Sequence, residues 1–177
     1  MSAIEFNPPD AEIVDFKVIS EDWQYYKLSD GTKMKMKLLL TQVLRARNQV
    51  DQTGQPLYSW NTQLLMSVVS IGEGLKGTPT PIQITPEVVA SNFEATVDFE
   101  PIGKQDEWAV YNLSDETVLR LRLNLNAVSR SKLRGPLGDP MYSVSAGMPN
   151  YRIKVHPELV KKPVISSSSK SPSHTYG

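Results

Sequence analysis

The sequence predicts an all-β protein made of two copies of one small antiparallel unit. Three observations predict it. DWQYYKLSDGT at residues 22–32 returns as EWAVYNLSDET at residues 107–117. The apolar residues that follow each copy alternate with polar ones. The only helical signal in the chain is one short stretch beginning at Pro86.

The repeat extends well past those eleven residues. Trp23 aligns with Trp108, Tyr26 with Tyr111, and Leu28-Ser29-Asp30 with Leu113-Ser114-Asp115. Thr32 aligns with Thr117, Lys35 and Lys37 with Arg120 and Arg122, Val43 with Val128, and Arg45 with Arg130. After a one-residue gap, Gly54-x-Pro56-x-Tyr58-Ser59 meets Gly138-x-Pro140-x-Tyr142-Ser143. Upstream, Val14-Asp15-Phe16 meets Val97-Asp98-Phe99; downstream, Ile82-x-Ile84-x-Pro86-Glu87 meets Ile153-x-Val155-x-Pro157-Glu158. An ordered series of this length is the mark of an internal duplication, with units at residues 11–89 and 94–160.

The elements follow in chain order. Residues 1–10, with Pro8-Pro9, read as an extended N-terminal arm. A first strand lies around Val-Asp-Phe and a second around Trp-x-x-Tyr, where aromatic and branched residues suit a pleated surface. The turn at Asp30-Gly31 leads into a long third strand. There Met34, Met36, Leu38 and Leu40 alternate with Lys33, Lys35, Lys37 and Leu39, and in the second copy Leu119, Leu121, Leu123 and Leu125 alternate with Val118, Arg120, Arg122 and Asn124. A period of two puts each apolar set on one face. The second copy has Asp115-Glu116 at the turn, so a backbone that demands glycine is not expected in both. Residues 48–55 and 131–139 are polar, glycine-containing hairpin loops, followed by a fourth strand at Pro-x-Tyr. Residues 70–81, SIGEGLKGTPTP, are an insertion in the first unit and read as a loop. A fifth strand is expected at Ile-x-Ile or Ile-x-Val. Pro86, after Thr85 as cap, opens one or two helical turns. Residues 161–177, KKPVISSSSKSPSHTYG, are too poor in apolar groups to fold alone and read as a flexible tail.

About five short strands per unit suit a small barrel or half a sandwich. A unit of that length buries little surface alone, so the two are expected to pack closely, with pseudo-twofold symmetry.

Composition narrows the function. Nineteen basic residues balance nineteen acidic ones, so no global charge draws the chain to nucleic acid or anionic membrane. Without cysteine there is no disulfide, thiolate ligand or cysteine nucleophile. His156 and His174 stand in no metal-binding pattern. No phosphate loop, nucleophile elbow or zinc signature occurs, so neither cofactor nor metal is expected and enzymatic activity is disfavoured. The N-terminal residues carry no leader pattern and no apolar run is long enough to span a bilayer, which gives a cytoplasmic, non-membrane expectation.

The sequence therefore reads as a non-catalytic structural or protein-interaction module, an accessory subunit with a protein partner or as a homo-oligomer. Its alternative is binding of RNA or single-stranded DNA along the two basic strands, through Lys35, Lys37, Arg45, Arg120, Arg122 and Arg130. Against that stands the role of such cations in keeping a strand face solvated. The recurring aromatics read as core. Trp60, with Val144 in its place in the second copy, is the candidate partner contact. Asp30 and Asp115 read as turn-fixing side chains.

Overall fold

The computed structural model describes residues 10–104 and 107–161. Apart from Asp10 and Lys161, the expected N-terminal arm and C-terminal tail lie outside the described residues. The strands are β1 (Ala11–Val14), β2 (Phe16–Ser20), β3 (Gln24–Leu28), β4 (Lys33–Val50) and β5 (Pro56–Ser70). Helix α1 (Pro86–Ser91) follows, then β6 (Phe93–Val97), β7 (Phe99–Ile102), β8 (Ala109–Leu113) and β9 (Val118–Arg122). The chain continues through β10 (Leu125–Arg134), β11 (Pro140–Ala146) and β12 (Asn150–Lys154) to a 3₁₀ turn at Pro157–Leu159. No helix among the described residues is long and apolar enough to cross a membrane.

The protein is mostly β, in antiparallel sheets that stay open, so the barrel expectation falls. In the first sheet β5 runs along one side of β4, while β1 and β3 lie end to end on the other and β7 flanks β3. The second sheet has the order β11-β10-β6 and the third β12-β9-β8-β2.

The Val-Asp-Phe stretches are not single strands. Each bends at its aspartate and divides between two sheets. Val14 pairs with Val43, but Phe16 pairs with Leu113. Likewise Val97 pairs with Val128, but Phe99 pairs with Leu28. Ser114 donates its amide to the Asp15 carbonyl at 2.8 Å, and Ser29 to that of Asp98 at 2.9 Å. The first half of the chain thus supplies β2 to the third sheet, and the second half supplies β7 to the first.

The core is shared in the same way. One cluster joins Val14, Leu40 and Val43 to Tyr111, Leu113, Leu119 and Leu121. The other joins Tyr26, Leu28, Met34 and Met36 to Val97, Val128 and Tyr142. The alternation read along β4 and β9 is visible in these clusters: Met34, Met36, Leu119 and Leu121 are all buried.

Two expectations about strands are corrected. The long strand is continuous over 18 residues as β4, but the aligned stretch after Thr117 breaks between β9 and β10. Asn124 stands at the break, where the first copy has Leu39. Asparagine is a poor strand former; here its carbonyl accepts from Gly147 N at 2.9 Å and its side-chain amide donates to the Met148 carbonyl at 3.4 Å. The partner strand is therefore also split, into β11 and β12. Beside β4, β5 stays whole, and Val68 pairs with Met34 where Ile153 of β12 pairs with Leu119. That edge of β4 is already occupied, so no strand forms at Ile82-x-Ile84.

Candidate functional site

The turns before β4 and β9 are built alike. Asp30 accepts the Thr32 amide at 3.0 Å and Asp115 accepts the Thr117 amide at 3.1 Å. Both threonines are fully buried. Gly31 has φ of 87° and Glu116 has φ of 65°, so both turns use the left-handed region. Glycine is not expected to be demanded in both turns, and the second does reach this region with a glutamate in its place. Glu116 is held by its amide bond to the Leu113 carbonyl at 3.0 Å, the counterpart of Gly31 on Leu28.

The free oxygen of each turn aspartate is gripped from the other half of the chain. Arg45 Nη1 lies 2.8 Å from Asp115 Oδ2, and the Tyr58 hydroxyl donates to the same oxygen at 2.6 Å. Arg130 Nη1 lies 3.0 Å from Asp30 Oδ2, and the Tyr142 hydroxyl donates to it at 2.8 Å. Each arginine is steadied by a second carboxylate. Arg45 Nε donates to Glu12 at 3.0 Å, and Arg130 Nε to Glu94 at 2.9 Å. The aspartate side chains are only 8% and 9% exposed.

Burial alone would raise both aspartates, but the hydrogen bonds from backbone amide, tyrosine and arginine outweigh it and hold both carboxyls below their ordinary range. Burial and the adjacent carboxylate push Tyr58 and Tyr142 up to about 12.

These clasps draw Arg45 and Arg130 inward from the basic stripe. The other predicted cations sit elsewhere. Lys35 Nζ lies 4.6 Å from the Trp23 ring centre, and Lys37 pairs with Glu21 at 3.3 Å. Arg122 and Arg152 lie 4.7 and 4.6 Å from the Trp108 ring centre, a cation–π arrangement. Arg120 stands directly opposite Arg152 across β9 and β12. The predicted residues thus fall into separate groups. Trp60 is half-buried, its ring 4.9 Å from that of Tyr151, and it packs against the first core cluster.

Two hollows remain. One, of about 590 Å³, is lined by Asp15, Lys17, Ser114, Glu116 and His156 among others. His156 Nε2 is 3.0 Å from Glu116 Oε2, and the Glu116 side chain is 75% exposed. Among the described residues no group of three or more His, Asp or Glu side chains is placed to hold a metal ion. The other is a groove of about 460 Å³ between β5, α1 and β11, lined by Leu64, Met66, Ile84, Val89, Met141 and Val144 with their neighbours.

The groove has a filled counterpart. Val144 stands where β5 has Trp60, and Met66, opposite Met36, stands where β12 has Tyr151, opposite Leu121. The large aromatic pair closes one seam, and the smaller pair leaves the other open. Beside the groove runs β5, fifteen residues long, with no charged residue from Gln52 to Gly72. Among the described residues its outer edge has no strand partner. Leu65, Met66, Val68 and Val69 are all exposed there.

Compared with protein-family models, curated proteins and solved structures, the chain matches none. The site must be read from its own chemistry.

Sequence reasoning named Arg45 and Arg130 as ligand-binding cations and missed their carboxylate partners. The signal was present: arginine, tyrosine and aspartate all recur together. Their pairing is between halves, and a one-dimensional alignment hides that. Glu12, Glu94 and Arg152 lay outside the aligned series.

Proposed function

We propose that the chain is a non-catalytic structural or protein-interaction module, an accessory subunit of a larger assembly, that arose by duplication of one β unit. Matching strand registers in the two halves and the two crossed clasps support the duplication. Together they favour a body that is rigid rather than one that opens. The observation that carries the interaction reading is β5, whose long uncharged edge lies open beside an apolar groove. Exposed edges of this kind pair with other strands unless charge or proline blunts them. The test is a pull-down of tagged full-length protein from nuclease-treated lysate, set beside Leu65→Lys with Val69→Lys. Nuclease-resistant partners that the double variant loses support the reading. Partners retained equally by the variant overturn it, as does a protein that captures none and is monomeric.

A second reading, nucleic-acid binding, is favoured by one observation. Strands β2, β8, β9 and β12 together carry Lys17, Arg120, Arg122, Arg152 and Lys154 and no acidic residue. Like charges directly opposite, as Arg120 and Arg152 are, destabilise a sheet and would be relieved by phosphate. This reading expects single-stranded RNA or DNA to bind with affinity that falls steeply with salt and vanishes in Arg120→Glu with Arg152→Glu. No binding at about 50 mM salt removes it.

A further inference from the structure

We propose that the chain dimerises through β5, each copy adding this strand antiparallel to the same strand of the other about a twofold axis at Met66. The proposal rests on the interaction reading and names the partner as a second copy.

Three features carry it. The first is which edges are guarded. Glu12 marks β1, Lys17 β2, Glu94 β6, Glu100 and Pro101 β7, and Arg152 and Lys154 β12. Such residues discourage edge pairing. β11 carries no charge but is only seven residues long and opens with Pro140. β5 has twice that length and no such guard beyond Pro56 at its start.

The second feature is self-complementarity. An antiparallel strand pairs with its own copy about a twofold axis. A charge at or next to the axis would then be brought close to its own copy. β5 has none to oppose.

The third is the groove. With the axis at Met66, Leu64 lies opposite Val68 of the other copy and Met66 opposite its equivalent. Residues directly opposite share a face of the sheet. Leu64 and Met66 border the groove, so the incoming Leu64, Met66 and Val68 lie on that same side. They supply the apolar bulk that Trp60 and Tyr151 supply to the closed seam.

The chain has no cysteine, so a single introduced thiol reports the contact cleanly. Residues opposite in an antiparallel pair have Cα atoms about 4.5–5.5 Å apart, within disulfide reach. Met66→Cys is expected to form a covalent dimer on mild oxidation. Asn61→Cys, about 30 Å from its symmetry mate in this register, is not. Light scattering should give twice the 19.8 kDa chain mass, falling to one chain in Leu65→Lys with Val69→Lys, whose circular dichroism stays that of wild type. Wild type that is monomeric at about 100 μM, or Asn61→Cys that cross-links as readily as Met66→Cys, overturns the proposal. A monomer that still captures a nuclease-resistant partner through β5 leaves the interaction reading standing and removes only the second copy. A monomer that captures none removes both.

Discussion

Glu116 holds a backbone conformation that its counterpart Gly31 adopts freely. The left-handed region costs a residue with a Cβ about 1–2 kcal/mol. The exposed pair it makes with His156 returns at most about 1 kcal/mol. Glu116→Gly should therefore stabilise the protein, by about 0.5–1 kcal/mol in a urea titration; an unchanged midpoint would mean the turn is not strained. The clasps set a second expectation, in pH. Asp30 and Asp115 have folded-state values below the ordinary 3.8. Their contribution is present above the carboxylate range and is lost as pH falls through the lowered values. Tyr58 and Tyr142 are raised from 10.0 to about 12. Their contribution is complete below pH 10 and is lost as pH climbs from 10 towards 12. Urea midpoints should fall at both ends, and Asp30→Asn with Asp115→Asn should flatten the acid limb. Tyr142→Phe removes a hydroxyl that serves both Thr32 and Asp30, at a cost of about 1–2 kcal/mol.

At the scale of elements, the alternating pattern along β4 and β9 was legible because both strands bury one face. Helix α1 was legible because Thr85 and Pro86 are local signals, and the Thr85 hydroxyl does accept from Val88 N at 3.3 Å. The break at Asn124 had only a single asparagine as its local signal, and the continuity of β5 had none, because it depends on which neighbour reaches the edge of β4. The hairpin loops illustrate the same dependence. A Cβ on Gly54 would fall 1.8 Å from the Lys161 carbonyl oxygen, and one on Gly138 2.4 Å from that of Gly77. Both glycines also have positive φ, 82° and 81°, so local backbone and distant contacts act together, and Gly54→Ala should cost more than the ordinary 1 kcal/mol or so of a loop glycine. The seam gives the sharper test. Val144→Trp with Met66→Tyr transplants the filled seam into the open groove. The double variant should keep its circular dichroism and thermal midpoint, yet lose whatever binds beside β5. Retained binding would show that the groove is not used.

For the whole molecule, the two exchanges matter most. β2 completes a sheet of the second half, and β7 completes one of the first. Both core clusters draw on both halves. Unfolding should be a single transition, coincident by circular dichroism and by fluorescence of Trp23 and Trp60 in the first half and Trp108 in the second. Two separated transitions would contradict the shared core. Fragments 1–92 and 93–177 should each stay unstructured alone and regain the native spectrum when mixed. The similarity of residues 22–32 to 107–117 lies in the sequence itself; the exchange was not legible there, since similar stretches pair as well with themselves as with each other.

Strand exchange also sets a timetable for synthesis. A nascent chain has released β3 by residue 28, yet the neighbour that flanks it, β7, arrives only at residues 99–102. β5 leaves the ribosome in between. Through that interval the growing polypeptide displays its longest uncharged strand before half of its core exists, and polysomes would bring several such strands together. Slow elongation between residues 70 and 102 should therefore lower soluble yield, and a chaperone that shields extended apolar segments should restore it.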